Sequence, residues 1–134
     1  MISDILGLGC DILEVERLEN LLRKGRESLL KRVLTPLEMT EYQRRTDKSY
    51  SRGNLFLATR YCAKEAFSKA LGTGIGEAFS FQDLSVLNEA NGKPKLLFSD
   101  RLEQWMDQQN AFAKISISDE QNYVTSTVII YIKQ

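Results

Sequence analysis

The chain has 134 residues, 43% hydrophobic and 27% charged, with eighteen Lys+Arg set against eighteen Asp+Glu, the balance of one globular domain over 1–134 rather than of a disordered or fibrous chain. Formal neutrality argues against a partner as acidic as nucleic acid, and the absence of histidine excludes a Ser-His-Asp triad, a Cys-His pair and a histidine-ligated zinc. Two cysteines, no basic-then-apolar leader and no apolar run of membrane-spanning length lead us to expect a cytoplasmic chain with no membrane segment, and a domain this small leaves room for a site shared between subunits.

Ile5 to Ile12 is a short apolar run broken by Gly7 and Gly9, which suits a strand packed closely against something, and it carries an acid, Asp11. Glu14 to Leu30 places Leu18, Leu21 and Leu22 at helical spacing among Arg17, Arg23, Lys24 and Arg26, with an interruption expected near Gly25. Thr35-Pro36-Leu37-Glu38 has the pattern of a capping box and predicts a helix through about Arg44. Thr46 to Asn54 is polar and reads as a surface loop. Leu55 to Leu71 reads as the longest helix, ended by Gly72-Thr73-Gly74-Ile75-Gly76. The rhythm then becomes that of strands: 78–87 and 94–98 flank an Asn91-Gly92 turn, and 114–118 and 123–132 flank a polar turn. Between these pairs Ser99 caps a short helix to about Gln109, with Leu102, Trp105 and Met106 on its inner face. The composite is an α+β fold, a mainly antiparallel sheet packed against helices.

The central helix carries most of the chemistry. At about 100° per residue, Cys62, Ala63, Ala66, Phe67, Ala70 and Leu71 form an apolar arc, while Tyr61, Lys64, Glu65, Ser68 and Lys69 occupy the other, with Arg60 at its margin. Several cations and one carboxylate displayed to one region suit a phosphate, since arginine grips phosphate bidentately, lysine is a point charge, and a carboxylate can hold magnesium against phosphate oxygens. The plainer alternative is a solvated face with an ordinary Glu65–Lys69 pair contributing about 0.2–0.5 kcal/mol. Asp11 could join Glu65 around a metal only where the fold brings them together. The basic stretch Arg17, Arg23, Lys24, Arg26, Lys31 and Arg32 is either a solvated helix face or a docking patch for an acidic partner.

Taken together, Gly7-Leu8-Gly9-Cys10-Asp11-Ile12 with Arg17, the run Phe56 to Gly74 with its Arg60, Lys64-Glu65-Ala66, Lys69 and Gly72-Thr73-Gly74, Phe81-Gln82-Asp83, and Gly92-Lys93-Pro94 resemble the holo-acyl-carrier-protein synthases, the small bacterial type of 4′-phosphopantetheinyl transferase. The resemblance covers nearly the whole chain. It implies a trimer with sites between subunits, coenzyme A as donor, an apo acyl carrier protein of fatty acid biosynthesis as acceptor, magnesium as cofactor and adenosine 3′,5′-bisphosphate as product. It implies Asp11, Glu65 and Lys69 as catalytic residues, with Asp11 and Glu65 holding the metal. Arg52, Arg60, Lys64, Ser68, Lys69, Gly72, Gly74, Pro94 and Lys114 are implied as contacts to the donor. Arg17, Leu21, Arg23, Lys24, Arg26 and Arg32 are implied as the surface that receives the carrier. The base stays open between Glu65 and a magnesium-bound water. Lys114 stands where the family commonly has a histidine, so a catalytically weakened protein that binds carrier or coenzyme A is the alternative reading.

Overall fold

Twenty-two residues, Tyr50–Leu71, form one helix, α3, around which the other elements assemble. The computed structural model describes residues 1–133. In chain order β1 (Ile2–Glu14), α1 (Val15–Val33) and α2 (Pro36–Lys48) precede α3. A 3-10 turn (Phe81–Asp83), β2 (Leu84–Asn88), β3 (Pro94–Phe98), α4 (Asp100–Gln108), β4 (Ala111–Asp119) and β5 (Tyr123–Lys133) follow it. The strands form an antiparallel sheet in the order β1-β5-β4 and a separate hairpin, β2-β3. This is the α+β arrangement expected. No helix among the described residues is long and apolar enough to cross a membrane.

β1 lies against α3 so closely that only glycine fits. A Cβ at Gly7 would stand 1.8 Å from Ala70 O, and one at Gly9 would stand 1.9 Å from Ala66 O. This close backbone approach is what the two glycines of the apolar run predict. Register alternation then turns Gly9, Asp11 and Leu13 toward α3 together with Val124, Ser126 and Val128 of β5. The opposite face of the sheet is bare: Leu8 is 67% exposed and Ile12 65%, with Ile5, Phe112 and Tyr123 also exposed around them.

α3 separates two apolar clusters. On one side Leu18, Leu22, Val33 and Tyr42 of α1 and α2 meet Phe56 and Leu57. On the other, Phe67 stacks on Phe79 at 5.4 Å and meets Phe98 at 6.0 Å, over Leu84, Leu102 and Met106. α1 breaks at Gly25, as expected, where the backbone leaves helical geometry (φ 179°, ψ 82°).

Three expectations need correction. Thr46 to Asn54 is not a loop: α2 continues to Lys48, and Ser49 alone separates it from α3, its hydroxyl accepting from Arg52 N at 3.2 Å. Gly53 serves close helix packing, for a Cβ there would stand 1.9 Å from Thr46 Oγ1. The strand expected over 78–87 begins only at Leu84, because Ser80 and Asp83 close a reciprocal capping box around the 3-10 turn. On α4, Leu102 and Met106 are buried but Trp105 is 37% exposed, one step off the inner face.

Candidate active site

The inward turn of Asp11 on β1 places it beside the last turns of α3. Lys69 Nζ donates to Asp11 Oδ1 at 2.9 Å and to Cys10 O at 3.0 Å. Glu65, one turn before Lys69 and half-buried, has its carboxyl pushed up, first by burial and then by the Asp11 carboxylate, with Lys69, Arg32 and Arg17 pulling the other way. Lys69 is pushed up by its bond to Asp11 and so stays charged. Tyr61, one turn before Glu65, has its hydroxyl raised by burial and by the Glu65 charge, and its ring tilts on Phe81 at 5.3 Å. Two carboxylates, one ammonium and the cations of α1 therefore share one electrostatic neighbourhood, in which burial and the Asp11 charge raise the proton affinity of Glu65.

Oxygen donors of this kind could hold a hard divalent cation. Lys69 takes Oδ1 of Asp11, and the Glu65 carboxyl is perturbed by burial and by charge rather than by a hydrogen bond, which leaves carboxylate oxygens for a metal. Among the described residues no group of three or more metal-ligating side chains gathers. Two carboxylates with phosphate and water completing the shell is how magnesium is commonly bound. Lys69 has spent two of its three protons on Asp11 and Cys10, and its side chain is 51% exposed. The third proton is available to an anion.

Other expected members lie elsewhere. Lys64 and Ser68, which the resemblance implies as donor contacts, are fully buried within the protomer. Lys64 Nζ donates to Glu38 Oε1 at 2.6 Å, Val33 O at 2.7 Å and Phe81 O at 2.9 Å, while Ser68 Oγ donates back to Glu65 O at 2.7 Å. The helical wheel misleads here because α3 is walled by the sheet, by α1 and α2 and by the hairpin at once, so part of its polar arc faces other elements rather than water. Arg60 is also buried; burial lowers its pKa to about 10. Its guanidinium donates to Val86 O, Thr59 Oγ1 and Asn88 Oδ1 and lies 4.2 Å from the Phe56 ring centre. Its remaining N–H groups border two clefts, one shared with Arg44, Arg45 and Gly92 and the other with Pro94, Ser116 and Asp119.

Arg52, exposed near the start of α3, borders a further depression with Arg44, Arg45 and Lys48. It stands about 20 Å from Glu65 along the helix. Gly72 and Gly74, with positive φ of 84° and 69°, form the exposed turn after Lys69. Lys114 alternates to the bare face of the sheet, opposite Ile129, and borders a shallow depression with Lys93 and Pro94. One protomer thus assembles Asp11, Glu65 and Lys69 toward the end of α3, sets Arg60 beside Pro94 at one cleft and Lys114 beside Pro94 at another, and holds Arg52 apart near the helix start. None of these clefts is lined by the two acids, whose side chains are only partly exposed.

On α1, Arg17, Leu21 and Lys24 fall on one exposed stripe and Arg23 bonds Asn20. Arg26 is turned away, bonded to Tyr42 Oη at 2.5 Å and lying over the Tyr50 ring, and Arg32 lies over the Phe81 ring at 5.5 Å. Sequence reasoning found Glu38 only as a cap and passed over Tyr61 as a functional group. Glu38 gave one available signal, an acid followed on the next long helix by a lysine that the wheel leaves at the edge of the apolar arc. Asp83 was likewise quoted only as part of a motif, yet its carboxylate holds Ser99 and both faces of Arg101.

Residues 7–128 match the model of the 4′-phosphopantetheinyl transferase superfamily. A holo-[acyl-carrier-protein] synthase of Idiomarina loihiensis is 45% identical over 127 residues, covering 94% of this chain and 96% of that one. Among solved structures, the holo-[acyl-carrier-protein] synthase of Neisseria meningitidis superposes with a TM-score of 0.83 at 35% identity, over 94% of this chain and 98% of that one. The enzyme of Bacillus anthracis, solved in complex with CoA (3′,5′-ADP), superposes with a TM-score of 0.81 at 34% identity, over 98% and 100%. With nearly its whole length matched in sequence and in fold, this chain belongs to the 4′-phosphopantetheinyl transferase superfamily, as an enzyme of the holo-[acyl-carrier-protein] synthase type.

Proposed function

We propose that the chain, a single domain, transfers 4′-phosphopantetheine from coenzyme A to a serine of an apo acyl carrier protein in cytoplasmic fatty acid biosynthesis, with magnesium as cofactor and adenosine 3′,5′-bisphosphate as leaving group. The observation that carries this reading is the meeting of Asp11, Glu65 and Lys69, drawn from two of the segments on which the resemblance rests. The carrier serine would give up its hydroxyl proton, to Glu65 or to a bound water, as its oxygen forms the new O–P bond to the pantetheine-bearing phosphorus and the pyrophosphate P–O bond breaks, which asks the protein for alignment and for charge neutralisation. Asp11 and Glu65 would hold the magnesium ion. When bound it supplies positive charge to the pyrophosphate oxygens. Lys69, fixed by Asp11 and Cys10, would direct its remaining proton to the same group, and the Gly72–Gly74 turn would flank the nucleotide. Arg17, Leu21 and Lys24 would meet the acidic carrier on the stripe that borders the site, with Arg23 and Arg32 beside it. The unpaired thiols Cys10 and Cys62 suit a reducing compartment.

A homotrimer is part of the reading. The residues Arg52, Arg60, Pro94 and Lys114 lie away from the acid pair, and one face of the sheet exposes Ile5, Leu8, Ile12, Phe112 and Tyr123. Copies packed through that face would complete each site with residues of a neighbour. Incubation with apo carrier, coenzyme A and magnesium is expected to raise the carrier mass by one phosphopantetheine. No gain with any carrier, from folded protein, rejects the reading, and ligand binding without turnover would favour the weakened alternative that Lys114 suggests.

A further inference from the structure

Lys64 is the residue beside Glu65, and its ammonium is saturated: three protons, three acceptors, at 2.6, 2.7 and 2.9 Å, with the side chain wholly buried. It has nothing left to offer a phosphate. Its partner Glu38, equally buried, accepts from Thr35 N at 2.9 Å on Oε1 and from Val86 N at 2.8 Å on Oε2. The pair therefore joins five segments: the end of α1 at Val33, the start of α2 at Thr35 and Glu38, α3, the 3-10 turn at Phe81, and β2 at Val86. Two of these segments carry the surroundings of Glu65. Arg32, adjacent to Val33, lies over the Phe81 ring and acts electrostatically on Glu65, and Tyr61 leans on that same ring.

The geometry points to Lys64 and Glu38 as positioning residues for the transfer reaction: their buried pair locks Arg32, Phe81 and Tyr61 against the turn of α3 that presents Glu65. The inference rests on the transfer reading above and deepens it by assigning Lys64 to the frame of the site and not to the donor. Supporting groups behind a metal-binding carboxylate typically change affinity or activity by about 10- to 100-fold when removed.

The test compares Lys64→Met, Glu38→Gln and the double variant in steady-state transfer, coenzyme A affinity and amide hydrogen exchange. Positioning predicts that kcat falls by about 10- to 100-fold while the KM and Kd for coenzyme A stay within about threefold. Exchange rises over 32–34 and 81–83, and the double variant is no worse than the poorer single one. Loss of coenzyme A affinity by an order of magnitude with kcat retained would make Lys64 a donor contact and overturn the inference, as would unchanged kcat in either folded variant. Should Lys64→Met fail to fold, Glu38→Gln keeps the shape of the pair and is judged by the same two outcomes. Should the unmodified chain itself lack turnover, it is the transfer reading that fails. The frame is then judged by exchange and coenzyme A binding in Glu38→Gln, where unaltered exchange over 32–34 and 81–83 overturns it.

Discussion

Lys69 is held on two sides and open on the third, and that asymmetry fixes what its substitution should do. Lys69→Met removes the ammonium bonded to Asp11 beside Glu65 and is expected to lower kcat about 100-fold, the scale seen when a single charge-stabilising donor is lost. Its side chain is half-exposed, so the melting temperature should barely change. Lys64 presents the reverse case five residues earlier. Removing one partner of a wholly buried, hydrogen-bonded pair leaves the other charge stranded, so Lys64→Met should cost about 3–5 kcal/mol in denaturant unfolding. Two lysines on one helix thus separate by burial: one mutation is read in turnover, the other in stability as well. The wheel cannot make that distinction, because it gives the angle at which a residue leaves the helix and not what stands there. For Asp11, Glu65 and Lys69 the motifs sufficed; for Lys64 and Ser68 only the packing of Val33, Phe81 and Glu38 around α3 shows that the polar arc is interior.

At the level of elements, the contact between β1 and α3 sets where Asp11 sits. Gly9→Ala would drive a methyl to within 1.9 Å of Ala66 O, so strand and helix must part. Overpacking of this kind costs about 1–3 kcal/mol, and the variant should melt lower and lose turnover by displacing Asp11. The loop after α3 is pinned differently: Arg101 donates to Glu77 O and to both carboxylate oxygens of Asp83, which also accepts from Ser99 Oγ and Ser80 N. Despite the opposing effect of burial, these donors hold the Asp83 carboxyl well below the usual carboxylate range. In the unfolded chain it takes up its proton near pH 4, before the folded form does, so its stabilisation is complete above about pH 5 and is lost as the pH falls through 4 toward the lower folded value. Asp83→Asn should flatten the acid side of a stability–pH curve measured by thermal melting; an unchanged slope below pH 5 would exclude this clamp as its source. Glycine and capping signals were legible where they act within one element: the Thr35–Glu38 box, the Gly25 break and the Asn91-Gly92 turn stand as read. They failed where an element met another. Gly53 and polar neighbours suggested a loop, whereas the glycine is there to let Thr46 of α2 approach α3.

The whole molecule leaves one side of its three-stranded sheet uncovered, with Leu8 and Ile12 of the edge strand β1 about two-thirds exposed on that face. These exposed apolar side chains are where copies would pack in the proposed trimer. Leu8→Glu with Ile12→Glu should leave each protomer folded, since neither side chain faces the core, while converting the assembly to monomers in sedimentation and abolishing transfer; a folded variant that stays both assembled and active would refute the shared site. Alternation along β1 shows which side of the strand is bare, but only the register with β5 shows that Lys114 shares it and that Asp11 does not. The most direct measurement is a crystal grown with coenzyme A and manganese in place of magnesium, read by anomalous scattering. The account predicts a peak bonded to a carboxylate oxygen of Asp11, to one of Glu65 and to the pyrophosphate; a manganese site bound without either carboxylate would contradict it.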